Sequence, residues 1–470
     1  MSTHTYDFGM VGLGVMGRNF LLNVADHGYS VIGLDTDPEK ATALEQEAGS
    51  HPAKGTTSTE TFVQHLALPR RIMLLVPAGK IVDLVIEDLL PHLDEGDLII
   101  DGGNTFFDDT DRRLASLAEK GIRFLGVGVS GGAKGARFGP SIMPGGSREA
   151  YSLVEPILQA VSAKVGNDPC VDFMGNGSAG HYVKMVHNGI EYGMMQLLAE
   201  SYDLLKQLGG LSNPELHRTY HDWNEGRLQS FLVEITAAIF AQQDEFVPGQ
   251  LIDNILDKAK QKGTGKWTSQ NAMDHGIPVP TIDAAVTMRE VSALKSERIV
   301  ASENLKIDSP QIAFDQPALV QKMGEALEFA FIISYAQGLS LLAEVSEEKN
   351  YQLNMEAIAR IWRGGCIIRA ALLEDIRTAY DLDPNLRNLL VSPVFKDRLL
   401  HTHASLRYIL KAAIDAGIPT LTFSSALAYF DAYRTARLPL NLVQAQRDHF
   451  GSHTYERTDR AGTFHTDWSS

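Results

Sequence analysis

Residues 6–19 read YDFGMVGLGVMGRN, and this stretch decides the amino-terminal half of the fold. A short apolar run, Tyr6 to Leu13, reads as a strand and passes through Gly12-Leu13-Gly14-Val15-Met16-Gly17 before a helical pattern opens at Arg18. The spacing is G-x-G-x-x-G between a strand and a helix, the context in which it receives a dinucleotide pyrophosphate. Gly12 permits the tight turn, Gly14 lets the backbone approach the phosphates, and Gly17 lets helix and strand pack closely. The helix start adds free N–H groups and partial positive charge.

Outward from this turn, short apolar runs alternate with helical patterns. Tyr29 to Leu34, Arg71 to Val76, Asp97 to Asp101 and Ile122 to Val129 read as further strands, with Asp37 to Ala48 and Asp109 to Lys120 among the helices between them. Apolar runs of this length bounded by glycine indicate strands buried on both faces, and the alternation implies a parallel, doubly wound sheet. Asp35 closes the second strand, eighteen residues past Gly17. A carboxylate there accepts hydrogen bonds from adenosine ribose hydroxyls and repels a 2′-phosphate. Asp37 precedes Pro38 and reads as a helix cap instead.

The character changes at Gly175-Asn176-Gly177-Ser178-Ala179-Gly180, where three glycines punctuate six residues. Beyond it the pattern is helical, with long candidates over 180–208 and 318–345. The expected fold is therefore a Rossmann-like α/β domain over residues 1–178, an all-α domain over 179–435, and an extended carboxy-terminal tail over 436–470. The tail is polar and weakly periodic, which by itself points to disorder. On the first long helix Lys184, His187, Asn188 and Glu191 fall at i, i+3, i+4 and i+7, one face, while Met185, Val186 and Ile190 turn towards packing positions. The stripe follows directly on the dinucleotide domain, where an interdomain cleft is expected.

Bulk properties exclude several functions. The net charge of −16 argues against nucleic acid or an anionic membrane as partner, so an anionic ligand needs a local basic cluster. Two cysteines, Cys170 and Cys366, allow no disulfide framework and no cysteine-rich metal site. No uninterrupted apolar run approaches the ~18 residues of a membrane helix, and MSTHTYDFGM has neither the basic start nor the apolar stretch of a signal peptide. A reducing cytoplasm is the expected location. His187 and Glu191 could ligate a divalent ion, yet nothing joins them at motif spacing, so no metal is expected.

At these residues the chain resembles decarboxylating 6-phosphogluconate dehydrogenases. The likeness runs through residues 12–19, Asp101-Gly102-Gly103-Asn104, Val129-Ser130-Gly131-Gly132, Gly135-Ala136-Arg137, Pro144-Gly145-Gly146, the helix from Lys184 to Gly193, Lys262-Gly263-Thr264-Gly265-Lys266-Trp267-Thr268, Arg289, residues 444–448, and His453-Thr454-Tyr455-Glu456. These span almost the whole chain in the family's order. The resemblance implies Lys184 as general base and Glu191 as the acid that protonates the enediol left after loss of carbon dioxide. It implies Val76 and Asn104 against the cofactor, and Asn104, His187 and Asn188 on substrate hydroxyls. Ser130, Gly131 and Gly132 would hold the substrate carboxylate. Tyr192, Lys262, Arg289 and Arg447 would form the sugar-phosphate pocket, with His453 a further contact. It also implies a homodimer or larger assembly in which the tail completes the partner subunit's pocket.

The chain departs from the family's usual pattern in one place. NADP-dependent members typically carry Asn-Arg-Thr after the second strand and a lysine after the third sheet strand; here stand Asp35-Thr36-Asp37 and Pro77. Two cations are lost and carboxylates gained, so NAD is the expected cofactor. Two other readings compete: a related β-hydroxyacid dehydrogenase acting on a non-phosphorylated substrate, against which Arg447 and His453 count, and a non-catalytic dinucleotide sensor, against which the lysine–glutamate pair counts.

Overall fold

The computed structural model describes residues 5–306 and 314–468; the first four residues of the stretch read above for a signal peptide, and the last two of the tail, lie outside them. The strands of the amino-terminal region are β1 (Phe8–Val11), β2 (Val31–Leu34), β3 (Ala53–Thr56), β4 (Arg71–Leu74), β5 (Leu98–Asp101), β6 (Arg123–Ser130) and β7 (Ser141–Gly146). They form one sheet in the order β3-β2-β1-β4-β5-β6-β7. Pairing is parallel from β3 through β6, with Phe8 opposite Val31 and Gly9 opposite Ile72. β1, β2 and β5 are buried at every residue, as their continuous apolar runs require.

Two strands depart from the sequence reading. β3 reads Ala-Lys-Gly-Thr, is half-buried throughout and closes the sheet edge, so it has no apolar run to announce it. β7 runs antiparallel to β6, with Ser141 opposite Ser130, so the sheet is not uniformly parallel. Its sequence, Ser-Ile-Met-Pro-Gly-Gly, contains proline and glycine that argue against a strand. It is nevertheless fully buried, and Gly145 lies in a β-bridge with Gly175 where the chain leaves the domain.

Chain order reverses beside β1, which pairs with β2 on one side and β4 on the other. A crevice opens there at the carboxyl ends of the strands, where ligands of such sheets bind. The helix Val15–Asp26 starts at that point.

From Ala179 the fold is helical until Tyr433. Its core is built on two long helices, Ala179–Gly209 and Gln316–Glu348, which pack along each other. The second is long and apolar enough to cross a membrane, although no single apolar run in the sequence suggested it; 89% of its most apolar window is buried inside this core. Both cysteines are free and buried. Among the described residues no hydrophobic side chain beyond Phe430 is buried. The tail is not featureless: it forms a helix, Leu440–Gly451, and a two-stranded ribbon pairing Tyr455 with Phe464. Buried Asp448 holds it together, accepting hydrogen bonds from the Thr454 and Thr466 amides, His465 and Trp468.

Candidate active site

The helix Ala179–Gly209 begins after the glycine-rich linker and stops at Gly210, whose φ of 64° is the left-handed end that glycine supplies cheaply. Met185, Val186 and Ile190 enter the helical core. Lys184, His187 and Asn188 are buried on the opposite stripe. Lys184 Nζ lies 3.4 Å from His187 Nδ1, and Asn188 Oδ1 lies 3.1 Å from the same nitrogen. Glu191 Oε2 is 3.8 Å from it, and Ser130 Oγ at the end of β6 is 3.4 Å from His187 Nε2. The helical spacing thus brings Lys184, Asn188 and Glu191 around the His187 imidazole, and β6 adds Ser130.

Gly128 on β6 lets this helix come so close. A Cβ at that position would stand 2.4 Å from Lys184 Cβ. The strand therefore carries no side chain where the lysine stem lies against it.

Burial governs the charges. It lowers the Lys184 pKa from the ordinary 10.5, against the opposing pull of Glu191 and Cys366. Burial raises the Glu191 pKa, against Lys184 and Arg289. It also holds His187 well below 6.5, helped by Lys184, so the ring is neutral. The resulting network has Nδ1–H donating to Asn188 and Nε2 accepting from Ser130. An amine whose pKa is lowered, close to a carboxyl whose pKa is raised, offers a base and an acid in one cleft.

The dinucleotide turn fits its group. Gly12 has φ 95°, and a Cβ there would stand 2.7 Å from the Leu75 carbonyl oxygen. Gly14 has open space beside it, and the helix behind it has no side-chain cap, so its first amides are available to phosphate. Val15 is exposed at this turn. Two cavities flank it. One, of about 390 Å³, is lined by Gly12, Gly14, Asp35, Thr36, Lys40 and Val76 among others. The second, of about 660 Å³, lies between the domains and is lined by Met16, Val76, Asn104, Val129, Lys262 and Trp267 among others. Leu13 itself is buried; its amide donates to Asp35 Oδ2 at 2.8 Å. Asp37 caps its helix, accepting from the Glu39 amide.

The expected phosphate pocket is only half assembled. The Arg289 guanidinium lies 3.4 Å from the Tyr192 ring centroid and donates to the Lys260 carbonyl, and the Glu191 carboxylate lies near enough to act on its charge. Lys262 is exposed on the interdomain cavity, and Gly131 and Gly132 open a short helix beyond Ser130. Arg447 and His453 do not join them. Both are exposed; Arg447 bonds Gln444 within its own helix, and the His453 ring meets Phe450.

The structure adds residues that the sequence did not single out. Buried Arg113 donates to Asp83, Asp101 and the Gly79 carbonyl. Asp101 in turn accepts from the Gly103 amide and Thr105, and its carbonyl accepts from His181 Nε2. This chain of bonds ties two walls of the interdomain cavity to the helix that carries Lys184 and Glu191. Trp362 meets the His187 ring edge-on at 5.4 Å. A buried arginine in a polar stretch such as Asp-Asp-Thr-Asp-Arg-Arg gives no periodic signal, so only packing reveals it. Among the described residues no cluster of three or more histidines, cysteines or carboxylates is placed to hold a metal.

Two family models cover the chain. The NAD binding domain of 6-phosphogluconate dehydrogenase matches residues 7–175, and the carboxy-terminal domain of the same enzyme matches residues 180–468. A Bacillus subtilis protein named 6-phosphogluconate dehydrogenase, NADP(+)-dependent, decarboxylating is 52% identical over 461 residues, covering 98% of each chain. A Lactococcus lactis decarboxylating 6-phosphogluconate dehydrogenase is 51% identical over 464 residues, again covering 98% of each. The Plasmodium falciparum 6-phosphogluconate dehydrogenase, solved in apo form, with NADP+ and with 6-phosphogluconate, superposes with a TM-score of 0.96 at 46% identity, over 98% of this chain and 100% of that one.

Proposed function

This chain belongs to the decarboxylating 6-phosphogluconate dehydrogenase family, and we propose that it oxidises 6-phosphogluconate to ribulose 5-phosphate and carbon dioxide with NAD as the preferred hydride acceptor. The observation that carries the reaction is the pairing of a buried amine at 184 with a half-buried carboxyl at 191, each shifted by desolvation towards its neutral form. A dinucleotide held by the Gly12–Gly17 turn would supply a hydride acceptor for carbon 3. Neutral Lys184 takes the proton of the 3-hydroxyl. The resulting ammonium then stands where the keto oxygen gathers negative charge, and it stabilises that charge as carbon dioxide leaves. Glu191, whose carboxyl is shifted by desolvation towards its protonated form, delivers a proton to carbon 1 of the enediol. Asn104, His187 and Asn188 orient the hydroxyls, and Ser130 with the Gly131-Gly132 amides receives the carboxylate.

The phosphate goes to Tyr192, Lys262 and Arg289, with Arg447 and His453 of a second copy completing the pocket. The exposed apolar side chains of the tail helix support that placement; Leu442 is 61% and Phe450 73% exposed. A helix with such a surface packs on something. NAD preference rests on Asp35, which lines the first cavity with its carboxylate ionised: burial pushes its pKa up, but the Asp37 and Leu13 amides and Lys40 outweigh this and hold it below 3.8. Thr36 supplies no cation for a 2′-phosphate.

Steady-state turnover of 6-phosphogluconate with each cofactor tests both parts. NADH and carbon dioxide should form in equal amounts. Rates with NADP equal to or above those with NAD overturn the cofactor preference and leave the reaction standing.

A further inference from the structure

Lys40 sits on the helix that Asp37 caps, one turn into it, and its side chain lines the cavity that Asp35 and Thr36 border. Among the residues lining that cavity it is the only lysine or arginine; Asp35 and Asp88 are the carboxylates. Its Nζ lies 3.3 Å from Asp35 Oδ1 and 3.9 Å from Asp37 Oδ2. The side chain is 41% exposed, so these contacts are solvated and individually weak. Their joint effect is a matter of charge. One cation faces two carboxylates at close range, and Asp88 is a further carboxylate lining the cavity.

We propose that Lys40 is a specificity-determining residue of the cofactor site, held between Asp35 and Asp37 so that its charge is spent on them and is not offered to a 2′-phosphate. This rests on the reading that the cavity receives the adenosine end of NAD. Asp35 then does two things: it meets the ribose hydroxyls, and it draws away the one ammonium that could neutralise a phosphate on them. Asp37 completes the hold from the helix end. Releasing Lys40 should open the site to a phosphorylated ribose without disturbing the unphosphorylated one, because the Asp35 carboxylate and the glycine turn it braces stay in place.

Asp37→Ser separates the two roles of that residue, since serine retains an oxygen to cap the Glu39 amide and removes the charge. Calorimetric binding of adenosine 2′,5′-bisphosphate and of 5′-AMP reads the site without turnover. In Asp37→Ser the bisphosphate should bind at least fivefold more tightly and 5′-AMP within twofold of the parent. The gain should vanish in Asp37→Ser combined with Lys40→Gln. An Asp37→Ser enzyme that binds the bisphosphate no more tightly than the parent, or a gain that survives the double substitution, overturns the role of Lys40. NAD preference itself is judged separately, on kcat/KM of the parent enzyme with NAD and NADP, so a parent that prefers NADP defeats that reading whatever the Lys40 variants show.

Discussion

The stripe on helix Ala179–Gly209 and the tail beyond Tyr433 make opposite use of burial. Lys184, His187 and Asn188 are buried side chains on a 31-residue helix locked into the largest core of the molecule. Arg447 and His453 are exposed, on a segment that contributes no hydrophobic side chain to any core. The physical reason lies in the chemistry asked of each. A lysine becomes a base at neutral pH only when burial strips its proton, so it has to be built into a dry interior. An arginine stays charged in any surroundings, so it can wait on the surface and be delivered to the site from outside. A catalytic centre needs the interior of its own subunit, whereas an anion clamp can be lent by another.

The largest expected effect tests the buried half. Lys184→Ala removes the base of the first step and the cation of the second, and kcat should fall by about 10⁴-fold, the upper range for general acid–base catalysis. A rate within tenfold of the parent would break the assignment of the base.

The exposed half is tested next. Arg447→Ala should raise KM for 6-phosphogluconate by about 10²-fold with a smaller change in kcat, the loss of one charge-assisted bidentate contact. The comparison sharpens when Lys184→Ala and Arg447→Ala subunits are dissociated and reassembled together and assayed at substrate far below the KM of the Arg447→Ala enzyme, where neither variant alone turns over appreciably. In a twofold dimer with exchanged tails, one of the two sites in each mixed pair has both groups, so activity should return to about a quarter of the parent. A mixture that stays inactive would show that the tail serves its own subunit or none.

A smaller effect comes from Gly128→Ala. The added methyl would meet the Lys184 stem at 2.4 Å and push the amine from its place. A displacement of about 1 Å costs up to roughly 10² in rate, and kcat should fall while the cofactor KM holds. Unchanged kcat would mean that the close approach of β6 to the helix does not position the base.

The smallest effect is on stability. Lys184 binds its proton less tightly in the folded chain than its unfolded value of 10.5 implies, so between the lowered value and 10.5 the unfolded chain holds more protons. Stability therefore rises with pH across that window, and below it the lysine is a net burden. Lys184→Met lacks the rise and should melt about 2–4 °C higher near neutral pH, the shift expected for ~1 kcal/mol in a large domain. Parallel pH–melting curves for parent and variant would show that the amine is not desolvated.

Both regions were visible in the sequence, by different means. Helical spacing alone placed Lys184, His187, Asn188 and Glu191 on one face, and the structure gathers them around one imidazole. Arg447 and His453 drew notice only through resemblance, because a polar, aperiodic segment carries no local signal of its purpose. The glycine turn and the parallel strands around it were legible because buried strands must be apolar throughout. β3 and β7 were not, since an edge strand needs no apolar run and a buried strand of prolines and glycines looks like a turn.

The sequence by itself determined the strand–turn–helix that meets a pyrophosphate, the two-part architecture, the face shared by lysine and glutamate, and the acidic group after β2. These are local, written in spacing and residue type over a few turns of chain. Only the tertiary structure decided that Arg113 joins the Gly79 and Asp101 loops, that Gly128 yields its space to a lysine stem, and that Lys40 stands between two aspartates. Most of these join segments distant in the chain, and all depend on where side chains end, which packing settles and residue spacing does not encode.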